Sequence, residues 1–94
     1  MMKRGTLTRK PFPKVGYDLV YVEWVDSRQA HGWHGVDEIV KGTMDVKSVG
    51  WKIFESEDSI NISAHYGPPP QEQFCGDMMI PKCSIKRILV LLAE

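Results

Sequence analysis

Hydrophobic and polar positions alternate over two stretches of the chain. Residues 17–25 read YDLVYVEWV, in which Val20, Val22 and Trp24 share one face. Residues 59–66 read SINISAHY, in which every second side chain is apolar. Apolar residues that recur at every second position are typical of a strand with one buried face. The pattern therefore predicts a chain built mainly from β-strands.

The middle of the chain predicts a hairpin that is followed by a stiff loop. Residues 46–55, VKSVGWKIFE, read as a strand that a short acidic turn joins to residues 59–66. Gly50 lies inside this strand, where a missing side chain suits a bend or bulge that curls a sheet. Three prolines then follow, and proline cannot donate to a strand ladder. We therefore expect a loop over residues 67–75.

The C-terminal part of the chain predicts two further strands. The first covers residues 77–80 and is followed by a tight turn over residues 81–84. The apolar run at residues 85–92 is ambiguous, because its side chains fit a helical stripe as well as a strand. A strand is favoured, since a barrel needs a final strand to cover its edge.

Together these elements predict the fold class. One strand, a long loop over residues 26–45, a hairpin, a Pro-rich loop and two strands joined by a tight turn give the layout of SH3-like and Sm-like barrels. A chain of 94 residues leaves room for one domain. The prediction is a mainly β protein, a small five-stranded barrel over residues 17–94. Because so short a chain buries little of its surface, we also expect a homo-oligomer.

The charge of the chain is unevenly distributed. Twelve basic and twelve acidic residues cancel, which argues against a dedicated nucleic-acid binder. Residues 1–16 nevertheless form a basic arm without any acid, and the body that follows is acidic. Two interpretations stay open for the arm: a solvated, frayed terminus, or a segment that pairs with an acidic neighbouring subunit or a phosphate.

The long loop after the first strand concentrates side chains that can recognise a ligand. Arg28 offers a fork of donors suited to phosphate, and Trp33 can stack on a purine. The alternatives are that Trp33 folds back to cap an open end of the barrel and that Arg28 pairs with a nearby acid. The predicted ligand-binding residues are Trp24, Asp26, Ser27, Arg28, Trp33, His34 and Tyr66.

Metal binding and catalysis receive little support from the sequence. His31 and His34 are three residues apart and could chelate a metal, but no second pair of ligands completes a recognised motif. Cys75 and Cys83 are spaced unlike a zinc knuckle, so two free thiols are expected. The sequence shows no recognisable set of catalytic residues. We therefore expect a protein that is not an enzyme and has no cofactor and no metal.

Four short motifs, in this order and spacing, carry a resemblance to a known group of proteins. They are VEWVDS at residues 22–27, GW at 32–33, SVGW at 48–51 and IPK at 80–82. The combination resembles small proteins encoded by bacteriophage and prophage genomes. Such proteins include inhibitors of host defence, among them oligomers that sequester nucleotide signals. The resemblance implies a viral origin and makes an anti-defence role plausible, but it assigns no role to any single residue.

These observations lead to a functional hypothesis and a runner-up. The first is a phage protein that binds and sequesters a nucleotide immune signal with the loop after the first strand. The second is a protein-interaction module that inhibits a host defence protein or supports phage assembly. The sequence opens without the pattern of a secretory signal, and its longest apolar run is too short to span a bilayer. The bacterial host cytoplasm is therefore the expected compartment, without membrane contact.

Overall fold

A single five-stranded antiparallel sheet forms the protein. The structure, a computed structural model, describes residues 15–92, so most of the predicted basic arm lies outside the described residues. The order across the sheet is β4-β3-β2-β1-β5, and every neighbouring pair is antiparallel. The strands are β1 (Asp18–Asp26), β2 (Met44–Glu55), β3 (Ser59–Gly67), β4 (Gln73–Pro81) and β5 (Ile85–Leu91).

The mainly β prediction is confirmed, with small changes in the boundaries of the elements. The C-terminal apolar run is a strand, and a single 3-10 turn at Lys82–Ser84 joins it to β4. β4 begins at Gln73, so the Pro-rich loop is shorter than predicted. A second 3-10 turn, at Val36–Glu38, is the one regular element between β1 and β2. Within residues 15–92, no helix is long and apolar enough to cross a membrane.

The sheet is bent where β2 and β3 approach each other closely. A Cβ atom added at Gly50 would lie 2.8 Å from the carbonyl oxygen of Ser63, which is closer than real Cβ contacts allow. Gly50 therefore permits an approach that any other residue would obstruct. Ser63 is fully buried, and its Oγ lies 2.8–3.0 Å from three acceptor oxygens, two of them backbone carbonyls. Its single hydroxyl hydrogen links β3 to β4 at the bend.

The core lies on the concave face that this bend creates. It consists of alternate residues of β1 together with isoleucines of β3 and β4: Val20, Val22, Trp24, Ile60, Ile62 and Ile80. β2 lies between β1 and β3 in the sheet. Side chains of β1 and β3 can therefore form one cluster only because the sheet curves about β2. Val46 and Ile85 pack against the cluster from its margin.

Closure of the sheet into a barrel is not confirmed. β4 and β5 are the two outer strands, and no ladder joins them in the part of the chain that the structure describes. The described strands thus form a curved open sheet whose outer strands, β4 and β5, each have one side that pairs with no other described strand. The SH3-like or Sm-like barrel therefore remains an analogy based on the number and order of the strands.

We predict that Gly50→Ala destabilises the fold by about 1–3 kcal/mol, because its methyl group would press against the β3 backbone. Gly35→Ala is the matched control: its backbone has an ordinary φ of −85°, and an added Cβ would meet nothing closer than 4.0 Å. Urea unfolding of the two variants and the wild type measures the difference. Equal stability of all three would show that the bend does not depend on Gly50.

Candidate functional site

The long loop between β1 and β2, residues 27–43, extends into solvent. Every one of its residues is exposed, and the Trp33 side chain is as exposed as in an extended peptide. The alternative interpretation, in which Trp33 folds back to cap an open end of the barrel, does not agree with this exposure. Gly32 and Gly42 have φ values of 75° and 90°, a region that glycine tolerates best. These two glycines set the path of the loop on either side of its apolar side chains.

Four of the predicted ligand-binding residues, Ser27, Arg28, Trp33 and His34, lie in this loop, and Asp26 lies at its base. Asp26 Oδ1 accepts a hydrogen bond of 2.7 Å from the Ser27 backbone N–H, which fixes the exit of the chain from β1. His34 Nδ1 lies 3.4 Å from the Gly32 carbonyl oxygen. Arg28 forms no ion pair within residues 15–92. The loop side chains thus point into solvent and do not converge on a cavity, and their binding role stays a prediction.

Trp24 lies in the core of the protein, although it is only two residues from the base of the loop. Its side chain is 8% exposed, and its indole N–H donates a hydrogen bond of 3.0 Å to Ser48 Oγ. The alternation along β1 accounts for this placement, because Trp24 shares the concave face with Val20 and Val22. In this chain Trp24 supports the scaffold, and any ligand contact by it would require the core to open.

Tyr66 belongs to an aromatic cluster, which comprises Tyr17, Trp51, Tyr66 and Phe74. The ring centroids of neighbouring members lie 5.3–6.1 Å apart, and the two pairs that include Tyr17 are packed edge to face. Glu72 accepts hydrogen bonds from both tyrosine hydroxyls, at 3.2 Å from Tyr17 and 2.8 Å from Tyr66. The hydrogen bond to Glu72 and partial burial raise the pKa of the Tyr66 hydroxyl. These contacts anchor the start of β1 to β3 and β4.

The aromatic cluster and the loop lie at opposite ends of β1. Tyr17 directly precedes β1, whereas the loop begins where β1 ends at Asp26. The nine residues of β1 separate the two, which corresponds to about 30 Å at 3.3 Å per residue. Tyr66 therefore does not line the rim of the loop within one chain. The structure places Ser27, Arg28, Trp33 and His34 in one exposed loop, whereas the Trp24 side chain lies in the core and Tyr66 lies at the other end of β1.

A small cavity with a charged rim lies elsewhere, on the concave face. Its volume is about 260 Å³, and it is lined by Lys52, Glu55, Ile60, Lys82, Ile85 and Ile88. The Glu55 carboxylate accepts hydrogen bonds from Lys52 Nζ at 2.8 Å and from Lys82 Nζ at 2.7 Å. These hydrogen bonds, together with the two positive charges, lower the pKa of Glu55 to about 2. Two ammonium groups beside one carboxylate leave the rim with a net positive charge.

The sequence predicts a strand that ends at Glu55 and a short acidic turn after it, and it gives no sign of this cluster. The register between β2 and β3 shifts between Lys52 and Phe54, so that β2 carries one extra residue. This bulge turns Glu55 toward the side of the sheet that also carries Lys52, although strict alternation would separate residues three apart. Lys82 lies in the 3-10 turn directly before β5. The contact between Lys52 and Glu55 can be predicted only when the strand register, with its bulge, is already known.

The cysteine and histidine residues are dispersed. Cys75 and Cys83 are both free and exposed, as expected from their spacing. Among residues 15–92, no group of three or more histidine, cysteine, aspartate or glutamate residues could hold a metal ion. The described chain therefore offers His31 and His34 no further ligands of these types.

Comparisons with known protein families, with curated proteins and with solved structures gave no match to this chain. The resemblance to bacteriophage proteins is neither supported nor contradicted by this result and stays a prediction. Function must therefore be argued from the geometry of the chain itself.

We predict that Glu55→Gln weakens the loss of stability in acid. The pKa of Glu55 in the folded chain lies below its ordinary value of 4.5, so its carboxylate stabilises the fold above that pH. This contribution is lost as the pH falls from 4.5 toward about 2. Urea unfolding midpoints across this range should fall less steeply in Glu55→Gln than in the wild type.

The matched control for this prediction is Glu57→Gln, in the same turn. Glu57 forms no ion pair in the described part of the chain. Its variant should retain the acid dependence of the wild type. If the two variants behave alike, the Lys52–Glu55–Lys82 cluster contributes nothing specific to the pH dependence.

Proposed function

We propose that this chain is a non-enzymatic protein-interaction module that recognises its partner through the loop of residues 27–43. The observation that carries the proposal is the exposure of apolar side chains along the loop. Trp33 is fully exposed, Val36 is 81% exposed, and Ile39 and Val40 are 50% and 37% exposed. Apolar side chains that are exposed close together mark interaction surfaces, whereas single exposed apolar residues are common on any protein. These four side chains lie within eight residues of one loop.

The chemistry of the loop fits a protein surface better than a preformed small-molecule site. Small-ligand pockets are concave and largely preformed, whereas this loop presents its side chains outward. Tryptophan is the side chain most enriched among residues that dominate protein interfaces, where it fills a pocket on the partner. Loops on a rigid scaffold commonly carry such residues. The bent sheet supplies that scaffold, and Trp33 is the proposed anchor.

The biological setting of this proposal follows from the resemblance to bacteriophage proteins. A phage protein of this kind would inhibit a host defence protein or take part in particle assembly, in the cytoplasm of the bacterial host. A module of this size that acts on a larger partner requires no catalytic group of its own.

We predict that Trp33→Ala abolishes capture of the partner without affecting the fold. Tagged full-length wild type and variant are incubated with bacterial lysate, and the retained proteins are quantified by mass spectrometry. The specific partner should be depleted about 30-fold, which corresponds to the roughly 2 kcal/mol lost on truncating an interface anchor. The unfolding midpoint should not change, since Trp33 is fully exposed.

Lys41→Ala provides the matched control, because Lys41 is an exposed residue of the same loop. It should retain the partner at the level of the wild type. The proposal fails if wild type and Trp33→Ala retain the same proteins in the same amounts.

Sequestration of a nucleotide signal is the second candidate function. It is favoured by the presence of Arg28, Trp33 and His34 in one exposed loop, where a phosphate fork and a stacking platform could close together on a ligand. In this case the site would form only on binding, by folding of the loop around the nucleotide. Such a mechanism would lower the affinity by the cost of ordering the loop.

Isothermal titration with a panel of linear nucleotides, cyclic mononucleotides and cyclic oligonucleotides distinguishes the two functions. Sequestration predicts heat with at least one member of the panel, and loss of that heat in both Arg28→Ala and Trp33→Ala. The interaction module predicts no heat with any of them. Heat that survives in both variants would place a nucleotide site away from the loop and would exclude this second candidate.

A further inference from the structure

The outer edge of β5 is the most apolar free edge of the sheet. Ile88, Leu89 and Val90 are 41%, 43% and 48% exposed. Ile88 and Val90 pair with Val22 and Val20 and so lie on the concave face, whereas Leu89 pairs with Tyr21 on the opposite face. β5 therefore exposes apolar side chains on both faces, and no other strand among residues 15–92 pairs with its outer side. An edge of this kind is a template for another strand.

The charges that would normally protect such an edge are already neutralised. Lysine and arginine side chains on outer strands commonly discourage pairing with another chain. Here Arg87 donates to the Glu23 carboxylate at 2.7 Å, and Lys86 contacts Asp45 at 3.4 Å. Both acids belong to the same chain. The two cations of β5 are thus balanced locally, and the strand can approach a copy of itself without accumulating charge.

The two free edges of the sheet differ in regularity. β4 contains Gly76, with a φ of 75°, and ends at Pro81, which has no backbone N–H. Both features interrupt a continuous row of donors and acceptors, so β4 is a protected edge. In β5 the register shift falls at Lys86, which leaves residues 87–91 regular and free of glycine and proline. A second strand therefore finds a continuous ladder only at β5.

We propose that β5 pairs with β5 of a second copy of this chain, antiparallel, about a twofold axis at Leu89. This axis passes through the middle of the regular stretch, residues 87–91, and places Leu89 beside Leu89 of the second copy. Ile88 then lies opposite Val90 on the concave face, and Arg87 lies opposite Leu91 on the other face. The two Arg87 side chains are four residues apart along the ladder, about 13 Å, which exceeds the screening length at physiological salt. Two curved sheets become one continuous sheet of ten strands.

Size-exclusion chromatography with light scattering, performed on the full chain at micromolar concentration, tests the proposal. The wild type should have twice the mass of one chain. Leu89→Lys places two ammonium groups side by side at the axis and should raise the dissociation constant about 100-fold or more. Val49→Lys is the matched control, because Val49 is 54% exposed but lies on the central strand β2. It should remain dimeric.

A charge-complementation experiment separates a lost interface from a failed fold. Leu89→Asp and Leu89→Lys should each be monomeric, and mixing them should restore a 1:1 dimer that native mass spectrometry identifies. Only an axis at Leu89 brings these two positions into contact. A wild type that stays monomeric would overturn the proposal, as would mixed variants that do not associate.

Head-to-tail pairing of β4 with β5 would also overturn it. Such pairing would give rings or chains of more than two copies. It would be disrupted by Met79→Lys on β4, where Met79 is 54% exposed, and would not be restored by the Leu89 mixture. In the twofold dimer, Met79→Lys leaves the mass unchanged.

Discussion

The close approach of Gly50 to Ser63 is the constraint on which this fold depends. At this point β2 lies so near the β3 backbone that a single methyl group would not fit. The buried Ser63 hydroxyl then holds the bend by sharing its hydrogen among acceptors on β3 and β4. A flat sheet would leave Val20 and Ile62 on a common surface open to water. The bend turns that surface inward, and the core exists because of it.

A core built in this way is small, and its small size explains why many apolar side chains remain exposed on the surface. Among residues 15–92, only six apolar side chains are buried, and three of them belong to β1. Within residues 15–92, the apolar side chains of β5 beyond Ile85 and those of the loop are exposed, because one curved layer of five strands cannot cover both of its faces. Domains of this size are marginally stable unless further surface is buried. The proposed association through β5 would bury further apolar surface and so add to the stability of the fold.

The sequence predicted the strands well and the functional geometry poorly, for identifiable reasons. Alternation along β1 predicted the face of Trp24, and a glycine inside a strand predicted the bend at Gly50. The contact between Lys52 and Glu55 depends on a bulge, which shifts the register by one residue and leaves no mark in the alternation. The exposure of Trp33 depends on the path of a long loop without periodicity. Local pattern carries no information on where such a loop lies.

The proposed dimer also bears on how the loop can act. The loop leaves β1 beside the first residue of β5, since Ile85 pairs with Trp24. With a twofold axis at Leu89, the two Ile85 residues lie eight positions apart along the ladder, which is about 26 Å. The bases of the two loops thus lie at opposite ends of the joined sheet and do not enclose a common pocket. Two separated Trp33 anchors favour bivalent capture of a protein over a nucleotide site shared between subunits, and bivalency strengthens binding only where the partner presents two matching sites.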